Sequence, residues 1–144
     1  MPEKMKVKII IDTNLFISFL IGKRLAGLKQ TLVNSIIQLI FSEQNIEELQ
    51  IVTNRPKFKK YFNENDVTDL IDLIHTIGKV IKVTTEPEIC RDPKDNFLLA
   101  LSDKGKADYL VSGDHDLLSI GEYKGTKIIT IEELEAVIEK STKA

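Results

Sequence analysis

The chain has 144 residues, 42% of them hydrophobic and 29% charged, and its 20 basic and 22 acidic residues give a formal net charge of −2. This composition is typical of a soluble globular protein, and we expect one domain over residues 5–140. A net negative chain is not a general nucleic-acid binder, so any contact with nucleic acid must come from a local patch or through a metal ion.

Features of export and of membrane insertion are not found in the sequence. No apolar stretch reaches the roughly 18–20 residues that cross a bilayer, and Met1–Lys8 lacks the apolar core of a secretory signal. Cys90 is the single cysteine, which excludes an internal disulfide and a zinc site built from thiolates. We therefore expect a cytoplasmic protein with no membrane partner.

The first half of the chain predicts strands alternating with helices. Lys6–Ile11 is rich in β-branched residues, as in strands buried on both faces of a parallel sheet. The predicted elements that follow are a helix over 14–20, a helix over 25–33, an apolar run over 36–41, and a helix that Ser42 opens and Pro56 kinks or restarts.

The second half continues the alternation. It predicts a helix over 66–77 closed by Gly78, a strand over 80–83, a loop over 84–92, a helix over 95–104 ended by Gly105, strands over 109–111 and 127–131, and a helix over 132–140. This order predicts an α/β fold, a three-layer α/β/α sandwich around a central, mostly parallel sheet.

Carboxylates follow two of the predicted strands. Asp12 comes directly after the first strand, and Asp114 follows the strand at 109–111. Either residue alone could simply cap the next helix. Both would nevertheless lie at one edge of the sheet, where open α/β folds bind ligands. Clustered carboxylates repel one another unless a cation lies among them, which indicates a magnesium or manganese site.

A second acidic pair lies before the helix at 95–104. Asp92 precedes Pro93 and is therefore biased to an extended conformation, so we expect it to shape the turn. Asp95 shares a helix face with Leu98 and Leu99, which should direct it toward the sheet. Asp95 is therefore the better ligand candidate.

Two further positions are sorted by the same reasoning. Glu48 has Ile51 and Val52 at helical spacing and is favoured over Glu47 for a place on the packed side. Asp116 has two open interpretations, either as a further ligand or as a residue of the first helical turn.

A basic stretch after the Ser42 helix interleaves cations with aromatic rings. One interpretation is a nucleic-acid contact, and the other is a solvated helix whose aromatic rings pack in the core. The cations concerned are Arg55, Lys57, Lys59 and Lys60.

Four segments taken together resemble the PIN domain family, and in particular its VapC-like branch of toxins from toxin–antitoxin pairs. The segments read IIIDTN, EEL followed by RPKF, DPKDNFLLAL, and ADYLVSGDHDLL. The resemblance covers residues 7–138, nearly the whole chain. It implies a PIN-like fold and a metal-dependent ribonuclease that hydrolyses RNA phosphodiester bonds with Mg²⁺ or Mn²⁺.

The resemblance also assigns roles by position. It implies four catalytic acids, a metal-binding set that includes Asp116, and two supporting residues, Asn14 and Ser112. The catalytic set is Asp12, Glu48, Asp95 and Asp114, and the metal set is Asp12, Asp95, Asp114 and Asp116. The implied partners are an RNA substrate and a cognate antitoxin protein, and a homodimer is a further expectation.

Other classes fit the sequence less well. A haloacid-dehalogenase-like phosphatase needs an Asp two residues after its nucleophile, where this chain has Asn14. A receiver domain needs a lysine at the carboxyl end of a late strand, whereas Lys127 precedes its predicted strand. A non-catalytic PIN-like module that binds RNA or a protein is the main alternative, and four intact acids disfavour it.

Overall fold

The computed structural model describes residues 6–143, with side chains through residue 141. Its strands are β1 (Val7–Ile11), β2 (Ile37–Phe41), β3 (Lys79–Val80), β4 (Tyr109–Val111), β5 (Glu122–Tyr123) and β6 (Thr126–Ile129). Its helices are α1 (Thr13–Ile21), α2 (Leu25–Leu32), α3 (Glu43–Thr53), α4 (Glu64–Ile77), α5 (Pro93–Gly105), α6 (His115–Ile120) and α7 (Ile131–Lys143), with a 3-10 helix at Lys59–Tyr61. None of the helices in this range is long and apolar enough to cross a membrane.

The six described strands form one sheet in the order β3-β2-β1-β4-β6-β5. The first five of these are parallel, and β5 pairs antiparallel to β6. The chain winds outward from β1 to β3 and then returns to the other side of β1 as β4. The strand order therefore reverses between β1 and β4, and a crevice for ligands is expected at their carboxyl ends. The predicted mostly parallel sheet is confirmed.

Helices cover both faces of the sheet, which gives the predicted three layers. Alternate side chains of β1 point to opposite faces: Ile9 and Ile11 enter one core, and Ile10 enters the other. The first core takes its helical side chains from α1, α2, α3, α4 and α7, and the second from α5 and α6. Burial on both faces accounts for the continuous isoleucine run of β1.

Pro56 neither kinks nor restarts a helix, so that prediction is wrong. Helix α3 ends at Thr53, and Asn54 is its C-cap. The residue before a proline is disfavoured in the α-helical conformation. Arg55 precedes Pro56, and the helix ends two residues before Arg55. The basic stretch that follows is a turn and one 3-10 turn, and the helix considered for it is absent from this part of the described chain.

Strand β3 is shorter than the predicted run over 80–83. Its partner β2 ends at Phe41, because Ser42 then caps α3. The backbone N–H of Ile81 still donates to the carbonyl of Phe41, at 2.8 Å. Beyond Ile81 the edge has no further strand backbone to pair with, so the ladder stops.

A small hairpin that the sequence analysis did not predict precedes β6. Tyr123 pairs with Thr126 across a two-residue loop of Lys124 and Gly125. Both loop residues have positive φ, 47° and 90°, as a type I′ turn requires. Gly125 was the available signal, because type I′ turns favour glycine at this position. The hairpin starts β6 one residue earlier than predicted.

Candidate functional site

A cleft of about 470 Å³ lies at the carboxyl ends of β1 and β4 and extends between α3 and α5. Acidic side chains dominate its charged lining. The residues that line it include Asp12, Asn14, Gln44, Glu47, Glu48, Ile51, Arg55, Glu86, Asp92, Lys94, Asp95 and Asp114. All four predicted catalytic acids therefore border one cleft.

Asp12 is fixed at the junction of β1 and α1. Its backbone N–H donates to the carbonyl of Val111 on β4, at 3.0 Å. Its Oδ1 accepts the backbone N–H of Asn14 at 3.0 Å, so Asp12 is the N-cap of α1. The side chain is nonetheless buried, with a residue exposure of 5%. Capping thus holds the carboxylate in the cleft wall and leaves Oδ2 for another partner.

Ser112 connects the ends of the two central strands. Its Oγ donates to Oδ2 of Asp12 at 2.8 Å and accepts the backbone N–H of Asp114 at 3.0 Å. The residue is 1% exposed. Asp114 in turn caps α6 by accepting the N–H of Asp116 at 3.2 Å. One buried hydroxyl therefore orients a carboxylate from β1 and the loop that carries a carboxylate after β4.

Three carboxylates meet closely enough to share a cation. One carboxylate oxygen from each of Asp95, Asp114 and Asp116 lies within 4.8 Å of the others. Asp95 is in the first turn of α5 and is 6% exposed, whereas Asp92 is exposed and caps the same helix by accepting the N–H of Lys94 at 2.9 Å. The preference for Asp95 over Asp92 thus agrees with their burial.

Burial, and to a smaller extent the neighbouring carboxylates, raise the pKa of two carboxyl groups at the site. Burial raises the pKa of Asp95 to about 7, and the adjacent Asp114 contributes through a hydrogen bond and its charge. Burial also raises the pKa of Asp12, an effect opposed by the hydrogen bonds from Ser112 and Asn14. The donor atoms at this site are carboxylate oxygens, which suit a hard divalent cation. Such a cation would favour the ionised form of these carboxyl groups and lower their pKa.

Glu48 and Glu47 both border the cleft, but only Glu48 is half-buried. The charge of Glu48 is one of the groups that raise the pKa of Asp12, which places it in the same electrostatic environment. Ile51 is 60% exposed and does not mark a packed face, so the prediction that Glu48 shares a packed side with Ile51 and Val52 is wrong for Ile51.

Two cations at the site were missed by the sequence analysis. Lys94 Nζ lies 3.0 Å from Oε1 of Glu48, and Arg91 donates to both carboxylate oxygens of Asp116, at 3.2 and 3.1 Å. Both flank the Asp92-Pro93 turn. A lysine in the first turn of a helix opposes the helix dipole, and this was the signal available in the sequence.

Asn96 was also missed. Its buried Oδ1 accepts the backbone N–H groups of Ile89 and Cys90, at 3.1 and 2.8 Å, and its Nδ2 donates to the carbonyl of Cys90 at 3.1 Å. These bonds fix the loop just before Arg91. A polar residue on a wholly buried part of α5 was the signal, but its loop partners depend on the tertiary fold.

Of the four cations considered for nucleic-acid contact, Arg55 lines the cleft. Lys57, Lys59 and Lys60 lie on the turn beyond α3 and are exposed. Lys60 lies over the ring of Tyr61, 5.2 Å from its centroid, and Lys59 pairs with Glu64 at 3.6 Å. Arg55 is therefore the one cation of this stretch that the structure places in the cleft, and a role of the stretch in nucleic-acid contact stays a prediction.

Open α/β sheets bind ligands where their strand order reverses, and the buried carboxylates of Asp12 and Asp95 border the cleft at this point. Residues 8–116 match the family described as PIN domain. The chain therefore belongs to the PIN domain family, whose members are generally metal-dependent nucleases.

Two individual proteins extend this comparison. The chain is 32% identical over 139 residues to the uncharacterized protein MJ1680 of Methanocaldococcus jannaschii, with 90% of this chain and 85% of that protein covered. Its fold is similar to the crystal structure of PAE2754 from Pyrobaculum aerophilum, with a TM-score of 0.52 and 14% identity over 96% of this chain and 91% of that one. The second likeness concerns the fold alone.

Proposed function

We propose that this protein is a divalent-metal-dependent endoribonuclease that hydrolyses RNA phosphodiester bonds. The observation that carries the proposal is the convergence of Asp95, Asp114 and Asp116, beside the buried Asp12, at the reversal of strand order. Membership of the PIN domain family supports a nuclease. The choice of RNA over DNA rests on the resemblance to the VapC-like branch.

Mg²⁺ or Mn²⁺ is the cofactor that the donor set favours, because all of the ligands are carboxylate oxygens. We assign its binding to Asp12, Asp95, Asp114 and Asp116. When bound, such an ion supplies a Lewis acid for the phosphodiester and lowers the pKa of a water molecule for in-line attack.

The chain's own groups would prepare the cleft for this reaction. Ser112 orients Asp12 through its 2.8 Å hydrogen bond, as groups behind metal ligands commonly do. Glu48 lies on the α3 side of the cleft, and we assign it either to the metal or to the orientation of the attacking water. Arg55 in the cleft, together with the exposed Lys57, Lys59 and Lys60 on the turn beyond α3, would attract the RNA backbone.

The test is RNA cleavage by purified protein in Mg²⁺ or Mn²⁺, with chelator, and with Asp12→Asn. We expect chelator to abolish cleavage and Asp12→Asn to reduce it by more than about 100-fold. Asp72→Asn, an exposed carboxylate on α4, is the control and should retain activity. Equal residual activity in wild type and Asp12→Asn would make the assigned site wrong, and RNA binding without cleavage would favour a non-catalytic module.

We further propose that the protein is the toxin of a type II toxin–antitoxin pair and acts in the cytoplasm. The support is the resemblance to VapC-like proteins, together with an acidic cleft that a partner's Arg or Lys side chain could fill. Expression alone should arrest growth, and co-expression of a small DNA-binding protein from the neighbouring reading frame should relieve the arrest. Growth unaffected by an active enzyme would contradict the toxin role.

We also propose that the protein forms a homodimer. Light scattering of the purified protein tests this by measuring its mass in solution.

A further inference from the structure

One ion pair spans the cleft from α5 to α3. Lys94 Nζ lies 3.0 Å from Oε1 of Glu48, and the two side chains are 58% and 25% exposed. Both residues line the same cleft as Asp12, Asp95 and Asp114. An ammonium group therefore lies among the carboxylates that the proposed function assigns to the reaction.

Stability does not account for a lysine at this position. Lys94 is in the first turn of α5, where the helix dipole favours anions. Pairs as exposed as this one contribute little, typically up to about 1 kcal/mol. Lys104, in the last turn of the same helix, is where the dipole does favour a cation. Neither the helix dipole nor the ion pair therefore gives Lys94 a large effect on stability, and its side chain lines the cleft.

We propose that Lys94 is a phosphate-binding residue that exchanges Glu48 for the RNA backbone, an inference that rests on the proposed function. In the structure, its ammonium pairs with the carboxylate of Glu48. With RNA and a divalent cation in the cleft, the same ammonium donates to a non-bridging phosphate oxygen, an acceptor that lysine binds as a point charge. Its flexible four-carbon stem allows the exchange without movement of α5.

If Lys94 has this role, removing its charge should strengthen the binding of a divalent cation and weaken the binding of RNA. Without Lys94, Glu48 is free and the cleft is more negative, so a divalent cation binds more tightly. RNA loses one phosphate contact and binds less tightly. A lysine that only held α3 against α5 would weaken both, or neither, when replaced.

The experiment compares wild type with Lys94→Gln, Lys94→Arg and the control Lys104→Gln, an exposed lysine that does not line the cleft. Mn²⁺ affinity is measured by calorimetry without RNA, and KM and kcat by cleavage of a single-stranded RNA oligonucleotide over a range of salt. We expect Lys94→Gln to bind Mn²⁺ about two- to fivefold more tightly. We also expect its KM to rise about tenfold and the salt dependence of kcat/KM to fall by about one phosphate contact. Lys94→Arg and Lys104→Gln should stay close to wild type.

Unchanged or weaker Mn²⁺ binding in Lys94→Gln, or an unchanged KM, would overturn this role while leaving a metal-dependent, Asp12-dependent nuclease in place. A wild-type protein that neither binds Mn²⁺ nor cleaves RNA would instead overturn the proposed function, and the role of Lys94 with it. The two failures are therefore distinguishable.

Discussion

Two carboxylates in this protein each make two kinds of contact. Asp12 caps α1 with one oxygen and accepts a hydrogen bond from the Ser112 hydroxyl with the other. Asp114 likewise caps α6 while its side chain approaches Asp95 and Asp116. The sequence leaves helix capping and ligand binding as alternatives for these residues, whereas in the structure both carboxylates cap a helix and also line the cleft. What separates Asp12 and Asp95 from an ordinary cap such as Asp92 is burial.

Ser112→Ala should lower activity by more than any loss of folding stability accounts for. The change removes the hydrogen bond that orients Asp12, and losses behind metal ligands typically cost about 10–100-fold in metal affinity or activity. Ser102→Ala is the matched control, because Ser102 is equally buried but donates only to the carbonyl of Leu98 within α5. Mn²⁺ calorimetry and cleavage assays check this, and equal losses in both variants would contradict the positioning role.

The raised pKa of Asp95 predicts how metal-free stability depends on pH. In the unfolded chain this carboxyl ionises near its ordinary pKa of about 4, whereas the folded protein retains the proton to about pH 7. Its contribution to the free energy of unfolding is therefore complete below about pH 4 and is lost as the pH rises to about 7. At about 1.4 kcal/mol for each pKa unit, the loss is on the order of a few kcal/mol.

Urea denaturation in chelator at a series of pH values measures this loss. Asp95→Asn cannot ionise, so its stability should fall less than that of wild type between about pH 4 and 7, and the two should run parallel above that range. Parallel behaviour throughout would mean that Asp95 ionises normally in the folded protein.

At the level of the helices and strands, glycines were predicted to end α4 and α5. The two helices end for different reasons. Gly78 follows α4 in an extended conformation, φ −84° and ψ 157°, so a left-handed turn is not required. A Cβ there would lie 2.6 Å from both the carbonyl oxygen of Ile74 and the ring of Phe41. Gly105 is the last residue of α5, and the left-handed conformation falls on Lys106 instead.

Gly78→Ala should therefore destabilise the protein through a clash, by about 1–3 kcal/mol. Gly27→Ala is the opposite control, because Gly27 lies in α2 and an added Cβ there meets nothing within 4 Å. That change should stabilise the protein by about 0.5–1 kcal/mol through helix propensity. Thermal or urea unfolding of both variants measures these changes. A Gly78→Ala variant as stable as wild type would show that the ring of Phe41 moves aside freely.

The elements that could be predicted from the sequence are those set by local pattern. The isoleucine run of β1, the Ser42 cap and the Tyr109–Val111 strand each have a signal within a few residues. The two-residue length of β3 depends on where β2 ends, and the contacts of Lys94 and Arg91 depend on which helices face each other. The length of β3 and the partners of Lys94 and Arg91 are set by packing over long sequence separation, so no local pattern predicts them.

At the scale of the whole molecule, chain topology assembles the site. Asp12 and Ser112 are one hundred residues apart, and they meet because β4 returns to the side of β1 opposite β2. Asp95 and Asp116 then approach from helices on the second face of the sheet. The fold thus concentrates carboxylates at one edge of the sheet, and a bound cation would favour their ionised forms.

Metal binding should accordingly stabilise the whole fold. Mn²⁺ at one hundred times its Kd is expected to add about 2.7 kcal/mol to the free energy of unfolding. The double variant Asp95→Asn with Asp114→Asn should lose this gain, whereas Asp72→Asn should keep it. A thermal shift that is equal in the double variant would indicate binding elsewhere.

The most direct test of the central claim is the anomalous diffraction of Mn²⁺ in crystals of the wild-type protein near pH 7.5. We expect an anomalous peak in the cleft, close to Asp12 and bounded by carboxylate oxygens of Asp95, Asp114 and Asp116, at the 2.0–2.6 Å distances typical of hard divalent cations. A well-ordered cleft without a peak at millimolar Mn²⁺, or a peak only at other carboxylates, would contradict it.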